Sequence, residues 1–148
     1  MGAVGRLDKA SEGLLLLTND SEWAARVTAP ETHLEKTYHV QVSGEMDARK
    51  LGAMTKGVLV DGVEVLRAKR AEVLRSGEKN TWLVVVLDEG KNRQIRRMLE
   101  KLEIEVLRLV RVAIGPLELG ELRKGKCREL TKGEKAAIDR EMGPPRQK

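Results

Sequence analysis

The stretch Thr81–Leu87, Thr-Trp-Leu-Val-Val-Val-Leu, constrains the fold more than any other part of the chain. Its β-branched residues favour extended backbone, and its unbroken apolar character demands burial, so it reads as a buried strand. Similar short runs recur. Lys36 to Ser43 alternates, with Tyr38, Val40 and Val42 on one face and Thr37, His39 and Gln41 on the other, as in a half-buried strand. Leu14–Leu17 is a continuous apolar run and predicts a fully buried strand. Val58–Leu74 holds two β-rich pieces around the hairpin signal Asp61-Gly62, Ser76–Asn80 is a turn, and Ile104–Ile114 is strand-like until Gly115-Pro116 breaks it.

Helical signals are fewer. Asn19-Asp20-Ser21 offers an N-cap for a helix through Trp23, Ala24, Ala25 and Val27, ended by Pro30. Asp47–Lys56 is followed by Gly57 as a C-cap. Asn92–Leu102 places Ile95, Met98, Leu99 and Leu102 on one stripe. Thr131-Lys132-Gly133-Glu134 has capping-box spacing and opens a last helix. Strands outnumber helices, so the pattern predicts an α+β fold: a mostly antiparallel mixed sheet flanked by helices. At 148 residues the chain predicts one domain, residues 1–142, with a disordered tail over 143–148.

Several functional classes drop out. The longest apolar runs fall far short of the roughly 18 residues that cross a membrane, and there is no signal-peptide pattern. The single cysteine, Cys127, excludes a disulfide scaffold and fits a reducing, cytoplasmic compartment. His33, His39 and Cys127 show no zinc spacing, so no metal is expected. The formal charge of +5 hints at a polyanionic partner.

Three segments carry candidate chemistry. In Gly5-Arg6-Leu7-Asp8 the aspartate sits in a loop just before a predicted strand, placed to act as nucleophile or base, or else as a turn or cap residue. In Glu35-Lys36-Thr37-Tyr38-His39-Val40, Tyr38 is the sole tyrosine and one of three aromatics with Trp23 and Trp82. It serves either as core or as a surface on which a base stacks, with Lys36 on the same face. The third segment is Glu89-Gly90-Lys91-Asn92-Arg93-Gln94-Ile95-Arg96-Arg97-Met98. At 100° per residue Arg93 and Arg97 fall opposite the core direction and can meet phosphates, while Arg96 lies at the border, able to place its guanidinium in a cleft. Lys91 to Arg111 holds seven basic and three acidic residues, a net of +4, so much of the excess charge clusters here. Leu122–Arg128, including Lys126 and Arg128, is a second basic segment, suited equally to nucleic-acid contact or to solubility.

Together these segments resemble the RNA pseudouridine synthases, and among them the RsuA-type branch that modifies bacterial ribosomal RNA. Gly5-Arg6-Leu7-Asp8 running into Gly13–Asp20 resembles its aspartate motif, Glu35–Val40 its tyrosine motif, and Glu89–Met98 its arginine motif. Leu109–Pro116 and Cys127–Thr131 resemble its C-terminal pattern. The resemblance implies cofactor-free isomerisation of a uridine to pseudouridine in ribosomal RNA or an assembling ribosomal particle, by a cytoplasmic monomer. It implies Asp8 as nucleophile or base, Tyr38 stacked on the target base, and Arg96 paired with the aspartate. Arg6, Lys36, Lys91, Arg93, Gln94, Arg97, Arg111 and Lys126 are then the expected RNA contacts. The resemblance also marks a departure: the further N-terminal stretch of the family's catalytic domain, with its Lys-Pro-x-Gly strand, has no counterpart in this sequence. The alternative is a non-catalytic RNA-binding or ribosome-associated module.

Overall fold

The computed structural model describes residues 2–4, 7, 11–29, 32, 34–88, 93–122 and 126–143. Strand β4 (Lys36–Ser43) is the axis of the sheet. It pairs antiparallel with β8 (Asn80–Leu87) on one edge and with β9 (Val106–Ile114) on the other. β7 (Arg70–Ser76) extends the sheet beyond β8, and β10 (Leu117–Glu118) folds back on β9. β2 (Glu12–Gly13) joins the free edge of β9 in parallel, so the sheet is mixed but mostly antiparallel, as the alternation predicts.

Two short hairpins stand apart. β1 (Gly2–Val4) pairs with β3 (Leu16–Thr18), and β5 (Val58–Val60) pairs with β6 (Glu64–Leu66) around Asp61 and Gly62, both left-handed. The region 58–74 therefore supplies the predicted hairpin and, in addition, the start of β7, a third strand. The Leu14–Leu17 run departs from its expected full burial. Leu14 and Leu16 are buried, but Leu15 and Leu17 are 40% and 53% exposed. The physical reason is pairing: β3 lies in a two-stranded ribbon covered on one face only, so successive side chains alternate between core and solvent.

The helices match the caps. α1 (Ser21–Thr28) starts at Asp20, whose carboxylate accepts from the Glu22 and Trp23 amides, and ends at Ala29, extended before Pro30. α2 (Ala48–Lys56) runs from Asp47 to Gly57. α3 (Gln94–Lys101) is shorter than predicted, because Arg93 turns left-handed and ends the helix there. α4 (Lys132–Met142) opens with both hydrogen bonds of the Thr131–Glu134 capping box. Residues 144–148, most of the expected tail, lie outside the described residues.

Two apolar clusters result. One packs α2, α3 and the β5–β6 hairpin on the sheet face carrying Val40, Val42, Leu83, Val85 and Leu109. The other gathers β1, β3, α1 and α4 around Leu34, Ile114 and Leu117. Within the second, Trp23 donates from Nε1 to Asp139 Oδ1 at 2.8 Å and so ties α1 to α4. β2 joins the second cluster's strands to the main sheet, and only glycine permits the approach. Gly13 has φ +117°, and a Cβ there would lie 2.2 Å from the Arg111 carbonyl oxygen.

Two predictions follow from this packing. Gly13→Ala destabilises the fold by at least about 2 kcal/mol, since strain at positive φ adds to a backbone clash that cannot relax; urea unfolding measures it. The hydrogen bond from Trp23, more than burial opposes, holds the Asp139 carboxyl below its ordinary range, helped by Lys135. Its contribution to stability is therefore present above the ordinary aspartate pKa and is lost as pH falls through the depressed value. Between about pH 5 and pH 3 the melting temperature of the wild type falls more steeply than that of Asp139→Asn.

Candidate active site

Tyr38 lies near the end of the central strand, half-buried, packed against the edge of the larger cluster. Its register partners are Val85 on β8 and Arg111 on β9. A β-bulge beside Tyr38 shifts the register, so that Thr37 faces Ala113 and Tyr38 faces Arg111. Lys36, two residues earlier, shares the face of Tyr38.

Arg111 differs from its expected role as a solvent-facing phosphate contact. It is 6% exposed, because β2 closes over the edge of β9 at this point. Its Nε donates to the Leu14 carbonyl at 2.8 Å, while the Leu14 amide donates to the Arg111 carbonyl at 2.8 Å. Nη2 of Arg111 is buried and has no hydrogen-bond partner among the described residues. Burial, and then the charge of Arg111, push the Lys36 ammonium below its ordinary range, against a longer-range pull from Asp88.

α3 separates its polar residues more sharply than a helical wheel does. Arg93 is exposed at the N-terminus. Arg93 and Arg96 line a cleft of about 210 Å³ with Glu100, Ile104, Glu105 and Val106, between α3 and the start of β9. Arg96 thus lines this cleft together with Arg93, which the helical wheel sets on the opposite face. Gln94 does not face RNA: it is 2% exposed, and its Nε2 donates to the Arg67 carbonyl at 2.8 Å, because the first turn of α3 packs on the strand leaving the β5–β6 hairpin. Arg97 is likewise engaged from within. Its Nη2 reaches Glu64 Oε1 at 2.6 Å and Asp61 at 3.7 Å, tying α3 to the hairpin.

Lys126 and Cys127 are exposed. Arg128 is held by both carboxylate oxygens of Glu134, at 2.6 and 2.7 Å, which removes it from the free basic surface. That ion pair, with the Thr131 amide behind it, lowers the Glu134 carboxyl to about 2. Asp8, Arg6 and Lys91 lie outside the described residues, as does His33. Among the described residues, no group of three or more His, Cys, Asp and Glu side chains is placed to hold a metal ion, and no helix is long and apolar enough to cross a membrane.

One arrangement has no sequence signal. On the sheet face opposite Tyr38, the Trp82 ring has Arg75 at 5.5 Å and Arg108 at 6.0 Å, and Arg108 is gripped bidentately by Glu12. Glu12 and Arg108 are 96 positions apart, so only the parallel docking of β2 on β9 brings them together.

Comparison with known proteins agrees with the fold. The family model described as RNA pseudouridylate synthase matches residues 1–101. An uncharacterized RNA pseudouridine synthase of Aquifex aeolicus is 41% identical over 141 residues, covering 95% of this chain and 56% of its own length. A ribosomal large subunit pseudouridine synthase E of Xanthomonas campestris pv. campestris is 44% identical over 140 residues, covering 85% of this chain and 75% of its own. A solved pseudouridylate synthase superposes with a TM-score of 0.79 at 34% identity, covering 93% of this chain and 59% of that one. An archaeal box H/ACA Nop10–Cbf5 complex shares the fold at a TM-score of 0.56 and 18% identity, covering 79% of this chain and 39% of that one. The chain spans a little over half the length of relatives such as the Aquifex protein.

Arg97→Ala is expected to loosen the β5–β6 hairpin without unfolding the domain. Loss of a charge-assisted hydrogen bond worth roughly 1 kcal/mol corresponds to about a fivefold fall in amide protection over residues 58–66. Hydrogen exchange measures it, with the strands of the main sheet as internal reference.

Proposed function

The chain belongs to the RNA pseudouridylate synthase family, and from that premise we propose that it isomerises a uridine of ribosomal RNA to pseudouridine. In this reading residues 1–142 are the catalytic portion. The bond from uracil N1 to the ribose C1′ breaks, the uracil turns within the site, and C1′ is rejoined through C5. The C5 proton is lost and N1 regains one, so no cofactor, oxidant or metal is consumed. The names of relatives such as the Xanthomonas synthase support large-subunit RNA as the substrate.

The roles follow from chemistry. Asp8 supplies the carboxylate that attacks or takes the first proton. Such a carboxylate must stay ionised in a closed site, and the guanidinium of Arg96 favours that form. A base taken out of its stack loses several kcal/mol of stacking, which the Tyr38 ring offsets. Arg6, Lys91, Arg93 and Lys126 hold phosphates with little reading of sequence. The enzyme acts as a cytoplasmic monomer. The observation that carries the reading is the order of the aspartate, tyrosine and arginine motifs within a chain aligned over 95% of its length with an RNA pseudouridine synthase.

The test uses unmodified large-subunit ribosomal RNA and reverse-transcription mapping of pseudouridine. Wild-type protein is expected to convert a defined uridine. Asp8→Asn is expected to lose at least about a thousandfold in rate while keeping its RNA affinity. Salt-sensitive RNA binding by the wild type without conversion of any uridine sinks the enzymatic reading and leaves a non-catalytic RNA-binding module.

A further inference from the structure

The two cations beside Tyr38 pose a physical problem. Arg111 is nearly fully buried, and one of its terminal nitrogens has no acceptor among the described residues. Lys36 is half-buried on the neighbouring strand. Among the described residues neither has a carboxylate within ion-pair distance, although Lys69, Arg97, Arg108 and Arg128 do. An unpaired buried charge costs several kcal/mol, and a second like charge beside it adds to that cost. The fold nevertheless supports the arrangement actively. Gly13 admits β2 at the one distance that seals Arg111, and the Leu14 carbonyl fixes the guanidinium in place.

We propose that Lys36 and Arg111 form a subsite for one phosphodiester group of bound RNA, set beside the base-stacking face of Tyr38. The proposal rests on the RNA-substrate reading above and deepens it. A phosphodiester carries one negative charge and two unesterified oxygens, one of which the Lys36 ammonium can hold. Lys36, half-buried, is the accessible edge, and Arg111 lies behind it. An anion seated on Lys36 feels the field of Arg111 without touching it, and the low local dielectric strengthens that attraction. Same-face neighbours on a strand stand about 6.5 Å apart, comparable with the reach from a nucleobase across its ribose to a flanking phosphate. A ring at Tyr38 and a cation at Lys36 can therefore hold both ends of a single extruded nucleotide. This differs from a diffuse surface contact, since one particular phosphate carries the effect.

The experiment pairs Lys36→Gln with RNA in which single phosphates near the target uridine are replaced, one at a time, by uncharged methylphosphonates. Binding to the unmodified RNA is expected to weaken about tenfold in Lys36→Gln, as for one lost charge-assisted contact. The slope of log affinity against log salt is expected to fall by about one unit. One methylphosphonate position is expected to weaken wild-type binding about tenfold yet leave Lys36→Gln unaffected, the signature of a coupled pair. Lys132→Gln, an exposed charge loss on α4, is the control for general electrostatics. Thermal melts confirm folding, and Arg111→Lys is expected to retain part of the coupling because it keeps the charge. If Lys36→Gln keeps the wild-type salt slope, or if every methylphosphonate acts additively with it, the subsite is overturned. Pseudouridine mapping of the same RNA separates the two failures. Coupling without product refutes the catalytic reading and keeps the subsite, whereas product without coupling does the reverse.

Discussion

Gly13 and Leu14 lie against the backbone of Arg111, and that contact reinforces the join that β9 makes between the two apolar clusters through Leu109 and Ile114. The larger cluster is closed by α2, α3 and the β5–β6 hairpin, the smaller by α1 and α4. The seam between them is stitched by backbone hydrogen bonds and one buried guanidinium, not by side-chain packing alone. Asp8 falls in the chain between Val4, buried in the smaller cluster, and Glu12, docked on β9. The seam lies beside Tyr38, whose register partner on β9 is Arg111.

Much of the fold is legible in the sequence wherever the signal is local. The alternation of Lys36–Ser43 and the β-branched run of Thr81–Leu87 identify two strands that turn out to be paired along their whole length. Asp20 and Thr131 announce two helices because a cap is a contact between residues two or three positions apart. Leu14–Leu17 misleads because burial of a strand's second face depends on which element covers it, and the sequence of the strand does not contain that fact. β2 is too short to carry a period, and its parallel pairing with β9 links positions nearly a hundred apart. The bulge that sets Tyr38 opposite Arg111 is equally invisible, being a property of two strands at once.

The candidate site divides in the same way. Reading α3 as a wheel sets Arg93 and Arg97 together and Arg96 apart, but the structure places Arg93 with Arg96 along one cleft and Arg97 on the β5–β6 hairpin. The wheel cannot tell what lies on the other side. There the β5–β6 hairpin brings Glu64 and Asp61 to Arg97, and the Arg67 carbonyl to Gln94. Two members of one basic motif therefore brace a neighbouring hairpin, while two line a cleft. A motif assigns a segment to a function, and the tertiary contacts then distribute the work among its residues.

The formal charge of +5 is for that reason a poor map of where an anion binds. Lys69, Arg70, Arg97, Arg108, Arg128 and Lys135 each lie within ion-pair distance of a carboxylate, and such exposed or half-exposed pairs contribute little to long-range attraction. Their acidic partners cancel them locally. Lys36 and Arg111 have no carboxylate within ion-pair distance among the described residues, and they sit where water is scarce. Coulomb's law weights a charge by the inverse of the local dielectric. Two cations without an ion-pair partner among the described residues, near the end of the central strand, therefore attract a bound phosphate more strongly than a larger number of paired ones around the rim. The dense basic segments of the sequence mark the partner's chemistry, and the sparse buried pair marks where that partner is held most tightly.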